Sequence, residues 1–71
     1  MQNPIVSVIG RNIQKISEHT YGNHIHMALM VDGNHEEVDA YLDSNGVWSY
    51  KTTASEPERV EYLVNCFNEL Y

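Results

Sequence analysis

The stretch from His24 to Lys51, HIHMALMVDGNHEEVDAYLDSNGVWSYK, constrains the fold more than any other part of the chain. Its apolar residues alternate with polar ones, a period of two that suits strands. Ile25, Met27, Leu29 and Val31 take one face, and His24, His26, Ala28 and Met30 take the other. Asp32-Gly33-Asn34 is hairpin chemistry, because glycine tolerates the left-handed backbone of a tight turn. The next strand then places Glu36, Val38, Ala40 and Leu42 on one side and Glu37, Asp39, Tyr41 and Asp43 on the other.

Ser44-Asn45-Gly46 leaves two registers open. A two-residue Asn45-Gly46 turn sets Trp48 opposite Asp43. A three-residue loop with Gly46 left-handed sets Trp48 opposite Leu42 and Tyr50 opposite Ala40, on the apolar side. Burial of an indole is worth a few kcal/mol on area grounds, which favours the second register.

Flanking segments read as helices. Asn3-Pro4 opens the first, Ile5, Ile9, Ile13 and Ile16 recur at helical spacing, and Gly22 closes it. A strand over residues 4–9 competes, since Val, Ile and Gly10 are mediocre helix formers. Ser55-Glu56-Pro57-Glu58 resembles a capping box, with Val60, Leu63, Val64, Phe67 and Leu70 forming an apolar stripe behind it.

The expected order is a helix over about 4–19, strands over about 24–31, 36–43 and 47–52, and a helix over about 56–70. This is a single α+β domain. Both helices pack on one face of a three-stranded antiparallel meander, in an α-β-β-β-α two-layer sandwich. The opposite face is left open.

Ten acids against four bases (Arg11, Lys15, Lys51 and Arg59) give a net charge of −6. Nucleic-acid affinity comes largely from cations neutralising phosphates, so direct DNA or RNA binding is disfavoured. A basic protein surface is the complementary partner. Cys66 is the only cysteine, which excludes an internal disulfide and fits a reducing compartment. The start MQNPIVSVIG carries neither a basic signal-peptide region nor a membrane-length apolar run, so the expected setting is cytoplasmic.

His24 and His26 share a strand face and are able to begin a metal site, with Asp39 or Tyr41 as a cross-strand neighbour. The donor set falls short of zinc coordination, so no metal or cofactor is expected. Paired acids need a cleft and perturbed pKa values to act as acid and base, and no phosphate loop or nucleophile motif occurs. The chain is therefore expected not to be an enzyme.

The candidate partner-binding residues are Glu36, Glu37, Asp39, Tyr41 and Asp43. Carboxylates spaced along a strand imitate the charges of a nucleic-acid backbone, and an aromatic serves as anchor. The expected function is a small acidic inhibitor that blocks the basic nucleic-acid-binding surface of a target protein, a nuclease for example. The alternative is an accessory domain that homodimerises or docks through apolar surface (Ala28, Met30, Val47), with its acidity incidental.

The expected α-β-β-β-α order resembles the double-stranded RNA-binding domain. That family grips phosphate with lysines at the start of its last helix, where this chain reads SEPERVE, so the resemblance implies the fold without the activity. Size, acidity and element order are also similar to phage-encoded inhibitors, the anti-CRISPR proteins among them. That likeness implies a phage or mobile-element origin and a nuclease's DNA-binding groove as target.

Overall fold

Two successive residues with positive φ occur at Ile9-Gly10 (50° and 78°) and again at Asp32-Gly33 (48° and 85°). This is the backbone of a two-residue hairpin turn, whose twist matches that of the strands it joins. In the computed structural model, which describes residues 3–71, these turns help fold most of the chain into one antiparallel sheet. The strands are β1 (Ile5–Val8), β2 (Arg11–Tyr21), β3 (His24–Val31), β4 (Asn34–Leu42) and β5 (Trp48–Thr52), followed by the helix α1 (Pro57–Leu70). Sheet order follows chain order, β1-β2-β3-β4-β5.

The helix expected over residues 4–19 is absent, and with it the helix–three strands–helix sandwich and the element order shared with the double-stranded RNA-binding domain. A β hairpin stands there instead, pairing Ile5–Val8 with Arg11–Gln14. β-branched residues lose side-chain freedom in a helix and pack well on a pleated sheet. The isoleucine spacing was coincidental, because the chain reverses at Ile9-Gly10. Val6, Val8 and Ile13 turn inward, while Ile5, Ile9 and Ile16 are exposed. Ile16 is the extra residue where the β2–β3 register shifts between Lys15 and Ser17, a β-bulge.

The middle of the chain follows its alternation. Ile25, Met27, Leu29, Val31, Val38 and Ala40 are buried on one face. The second-turn register is the one that sets the indole on the apolar side, partly buried against the core: Leu42 pairs with Trp48 and Ala40 with Tyr50. Asp43 N donates to Val47 O at 3.0 Å, and Gly46 is left-handed at φ 81°.

A single helix covers this face. Leu63, Cys66 and Phe67 are buried against the sheet, with Leu70 and Tyr62 beside them. The Phe67 ring lies 6.2 Å from Trp48 and 5.7 Å from Tyr50, and it stacks on Tyr71 at 5.2 Å. At the other end, Tyr62 Oη donates to Val8 O at 3.1 Å, and Arg59 Nη2 lies 3.0 Å from the Glu36 carboxylate. One helix thus touches both edge strands, so the sheet wraps around it.

The helix start differs from expectation in one detail. Glu56, not Ser55, is the N-cap, and no side chain bonds the first turn. Pro57 begins the helix with φ already fixed, which removes one donor that a cap would otherwise have to satisfy. No helix among the described residues is long and apolar enough to cross a membrane.

This register separates two phenylalanine- and isoleucine-type sites that a helical reading would treat alike. Phe67→Ala is expected to cost about 3–5 kcal/mol of unfolding free energy. Ile5→Ala, on exposed sheet surface, should stay within about 0.5 kcal/mol of the parent. Urea denaturation of both variants measures the contrast, and equal losses would contradict the hairpin.

Candidate functional site

The sheet face turned away from the helix is uncovered, and the register fixes which residues share it. His26 stands opposite Asp39 and His19, His24 opposite Tyr41 and Tyr21, and Ala28 opposite Glu37 and Ser17. Lys51 stands opposite Asp39 from the other side. All four histidines of the sequence (His19, His24, His26 and His35) lie on this face.

At its centre is a hydrogen-bonded cluster. His24 Nε2 donates to Asp39 Oδ1 at 2.7 Å, and His26 Nδ1 donates to the same oxygen at 2.8 Å. His26 Nε2 lies 2.9 Å from Glu37 Oε1. A carboxylate only accepts hydrogen bonds, so an imidazole bracketed by two carboxylates is best satisfied with both nitrogens protonated. The Asp39 bond accordingly raises the His26 pKa above its ordinary 6.5, outweighing the opposing effect of partial burial. Partial burial also pushes Asp39 upward, but the bonds from His26 and His24 overcome it and hold its carboxyl below 3.8.

Beside this cluster runs an aromatic row. The His24 and Tyr41 rings stack at 4.5 Å and 7°, and Tyr21 approaches His24 at 5.9 Å. Tyr21 and Tyr41 are both exposed. A flat stacked pair that includes an exposed tyrosine is suited to receive an apolar or planar group.

The five sequence-predicted residues separate. Glu37, Asp39 and Tyr41 come together on the uncovered face. Glu36 is turned to the helix side, where Arg59 pairs with its largely buried carboxylate. Asp43 lies at the strand end and spends its Oδ1 on the turn, accepting from Asn45 N at 2.8 Å and Val47 N at 2.9 Å. Tyr21, His19 and Lys51 complete the face without having been singled out. The signal for the first two was the Tyr21-Gly22-Asn23-His24 turn, which carries the alternating pattern backward into β2.

Charge is segregated. Arg11 lies over the Tyr62 ring on the helix side, and Arg59 pairs with Glu36 there. Lys15 is bound to Glu18 at 3.0 Å. Glu56, Glu58, Glu61 and Glu69 are exposed along the outside of the helix and its start. No group of three or more metal-ligating side chains is arranged around a common point among the described residues. No family model, curated protein or solved structure matches the chain.

The His26–Asp39 pair makes stability depend on pH in a definite sense. The raised His26 contributes fully below pH 6.5 and loses its contribution as pH climbs through its elevated folded pKa. The lowered Asp39 contributes above pH 3.8 and loses its contribution as pH falls through its depressed folded pKa. The pair therefore stabilises most between those limits. NMR titration should place the His26 midpoint above 6.5, and Asp39→Asn should move it down. A midpoint unmoved by that substitution contradicts the cluster.

Proposed function

We propose that this protein is a binding module rather than an enzyme, and that it docks its uncovered sheet face against a basic surface of another protein. The observation that carries the reading is the pairing of the stacked His24–Tyr41 rings with the carboxylates of Glu37 and Asp39 on the side of the sheet that no helix covers. Interface centres favour aromatic anchors, and charges around them set partner choice and association rate. The exposed acids of the helix extend the negative field that draws a cationic partner in.

With a net charge of −6, the partner class this reading favours is a nucleic-acid-handling protein, a nuclease included, whose basic groove the module would occupy as an inhibitor. A phage or mobile-element origin belongs to the same reading. So does a reducing, cytoplasmic setting, which suits a small domain whose lone cysteine, Cys66, is buried and which has no disulfide to staple it.

A second reading, docking through apolar surface, is favoured by one observation. Ile9 is a β-branched residue at φ 50°, and it is 71% exposed at the tip of the β1–β2 hairpin. Such a residue is costly in that conformation and makes no use of its apolar surface within the chain.

Capture of partners from lysate at low and high salt tests the first reading. Charge reversal at both Glu37 and Asp39 should reduce capture at least tenfold, and high salt should weaken it through the association rate. Capture that resists both changes contradicts the reading. Ile9→Asn suits the turn better and should stabilise the fold by roughly 0.5–1 kcal/mol. It should abolish capture under the second reading and leave it intact under the first.

A further inference from the structure

β2 has eleven residues, and its two neighbours cover it unequally. β3 pairs with it through to Tyr21, while β1 pairs only with Arg11–Gln14. Asn3 extends the cover by one step. Its Nδ2 donates to Lys15 O at 2.7 Å, and Gln14 Nε2 donates to Asn3 O at 2.9 Å. Among the described residues, no backbone group pairs with the outer edge of β2 from Ile16 to Tyr21. Ile16 and Tyr21 are also exposed there, at 48% and 62%.

The ladder determines which groups this edge presents. The pair closing a two-residue turn exchanges both of its backbone hydrogen bonds. Tyr21 and His24 close the Gly22-Asn23 turn, so Tyr21, His19 and Ser17 direct their N–H and C=O groups to β3. Glu18 and Thr20, lying between them, direct theirs outward. An exposed row of this kind is a template for another strand.

The pattern complements itself. A two-fold axis normal to the sheet keeps each face continuous, so residues of the uncovered face must meet residues of the uncovered face. Centred on His19, the axis sets Glu18 opposite Thr20 of a second copy, and Thr20 opposite its Glu18. Every outward N–H and C=O of that pair is then used. Ser17 meets Tyr21, and exposed Ile16 falls beside the turn at Gly22. Centring on Glu18 would oppose two carboxylates, and centring on Thr20 would place Glu18 against the turn. Glu18 is itself held by Lys15 at 3.0 Å, which moderates its charge at the seam.

We propose that two copies of this chain join antiparallel through the outer edge of β2, centred on His19, so that two five-stranded sheets become one. The uncovered faces then form one continuous surface, with His19 and Tyr21 from both copies at its middle. Net charge of −6 on each copy opposes the association, so salt strengthens it, the reverse of its effect on a cationic partner.

Sedimentation of the full chain from micromolar to millimolar concentration tests this. The mass should rise from 8.2 kDa toward twice that value, and more readily at high salt. Thr20→Pro removes an outward donor without breaking a bond to β3, so it should leave the far-ultraviolet spectrum unchanged and hold the chain monomeric. If proline unfolds the strand, a synthetic chain N-methylated at Thr20 removes the same donor. A monomer at every concentration, or a dimer that survives loss of the Thr20 N–H in a folded chain, overturns the proposal. Charge reversal at Glu37 and Asp39, which tests the basic-partner reading, should leave the dimer intact.

Discussion

Phe67 is where the sheet and the helix become one structure. Its ring is 2% exposed and meets Trp48, Tyr50 and Tyr71, so the last strand and the last helical turn are fixed together. Full burial of such a side chain contributes about 1.5–3 kcal/mol, a large share of what a domain of this size has in total. Everything else about the surface follows from that attachment. One helix, joined at β5 and reaching Val8 through Tyr62, covers one side of the sheet and leaves the other without a cover. A second helix in the amino-terminal third would not have changed which side is open, but it would have removed β1 and β2 from it.

That difference matters for the candidate site. In a three-stranded sheet, His24 and Tyr41 would have stood at the margin. With β2 added, His24 has Tyr21 on one side and Tyr41 on the other, and His26 lies between His19 and Asp39. The uncovered face is also less negative than its sequence suggests. His26 bridges the Glu37 and Asp39 carboxylates, and Lys51 stands opposite Asp39, so much of the local charge is balanced. The unpaired acids sit mainly on the helix, where they act at a distance. Under the proposed binding role, the aromatic row would supply contact, the His–carboxylate cluster specificity, and the helix long-range attraction.

The sequence was most legible where alternation and turn chemistry agreed. Ile25 to Val31, the Asp32-Gly33 turn and the apolar stripe from Leu63 to Phe67 all lie as their periods require. Trp48 followed the area rule onto the apolar face, where it is partly buried against the core. The amino-terminal third misled because Ile5, Ile9, Ile13 and Ile16 fit a helical period by spacing alone. β-propensity and Gly10 pointed the other way, and the Ile9-Gly10 turn was hidden because isoleucine is among the residues least suited to a left-handed position. Alternation already set Glu36 on the side of Val38 and Ala40, but its ion pair was not legible because Arg59 lies on a distant segment and reaches it only through the fold. The same non-local pairing explains why the role of Asp39 as the shared acceptor of two histidines could be read as a neighbourhood and not as a bond.

We propose that the uncovered sheet face, and not the acidic helix, makes contact with a partner. Side-chain NMR of the chain with a captured basic partner tests it most directly. The account predicts that the ring signals of His24, His26 and Tyr41 shift or broaden on binding, while the amides of Glu58, Glu61 and Asn65 on the outside of the helix hold their positions. Movement confined to the helix, with the sheet-face rings unchanged, would contradict it.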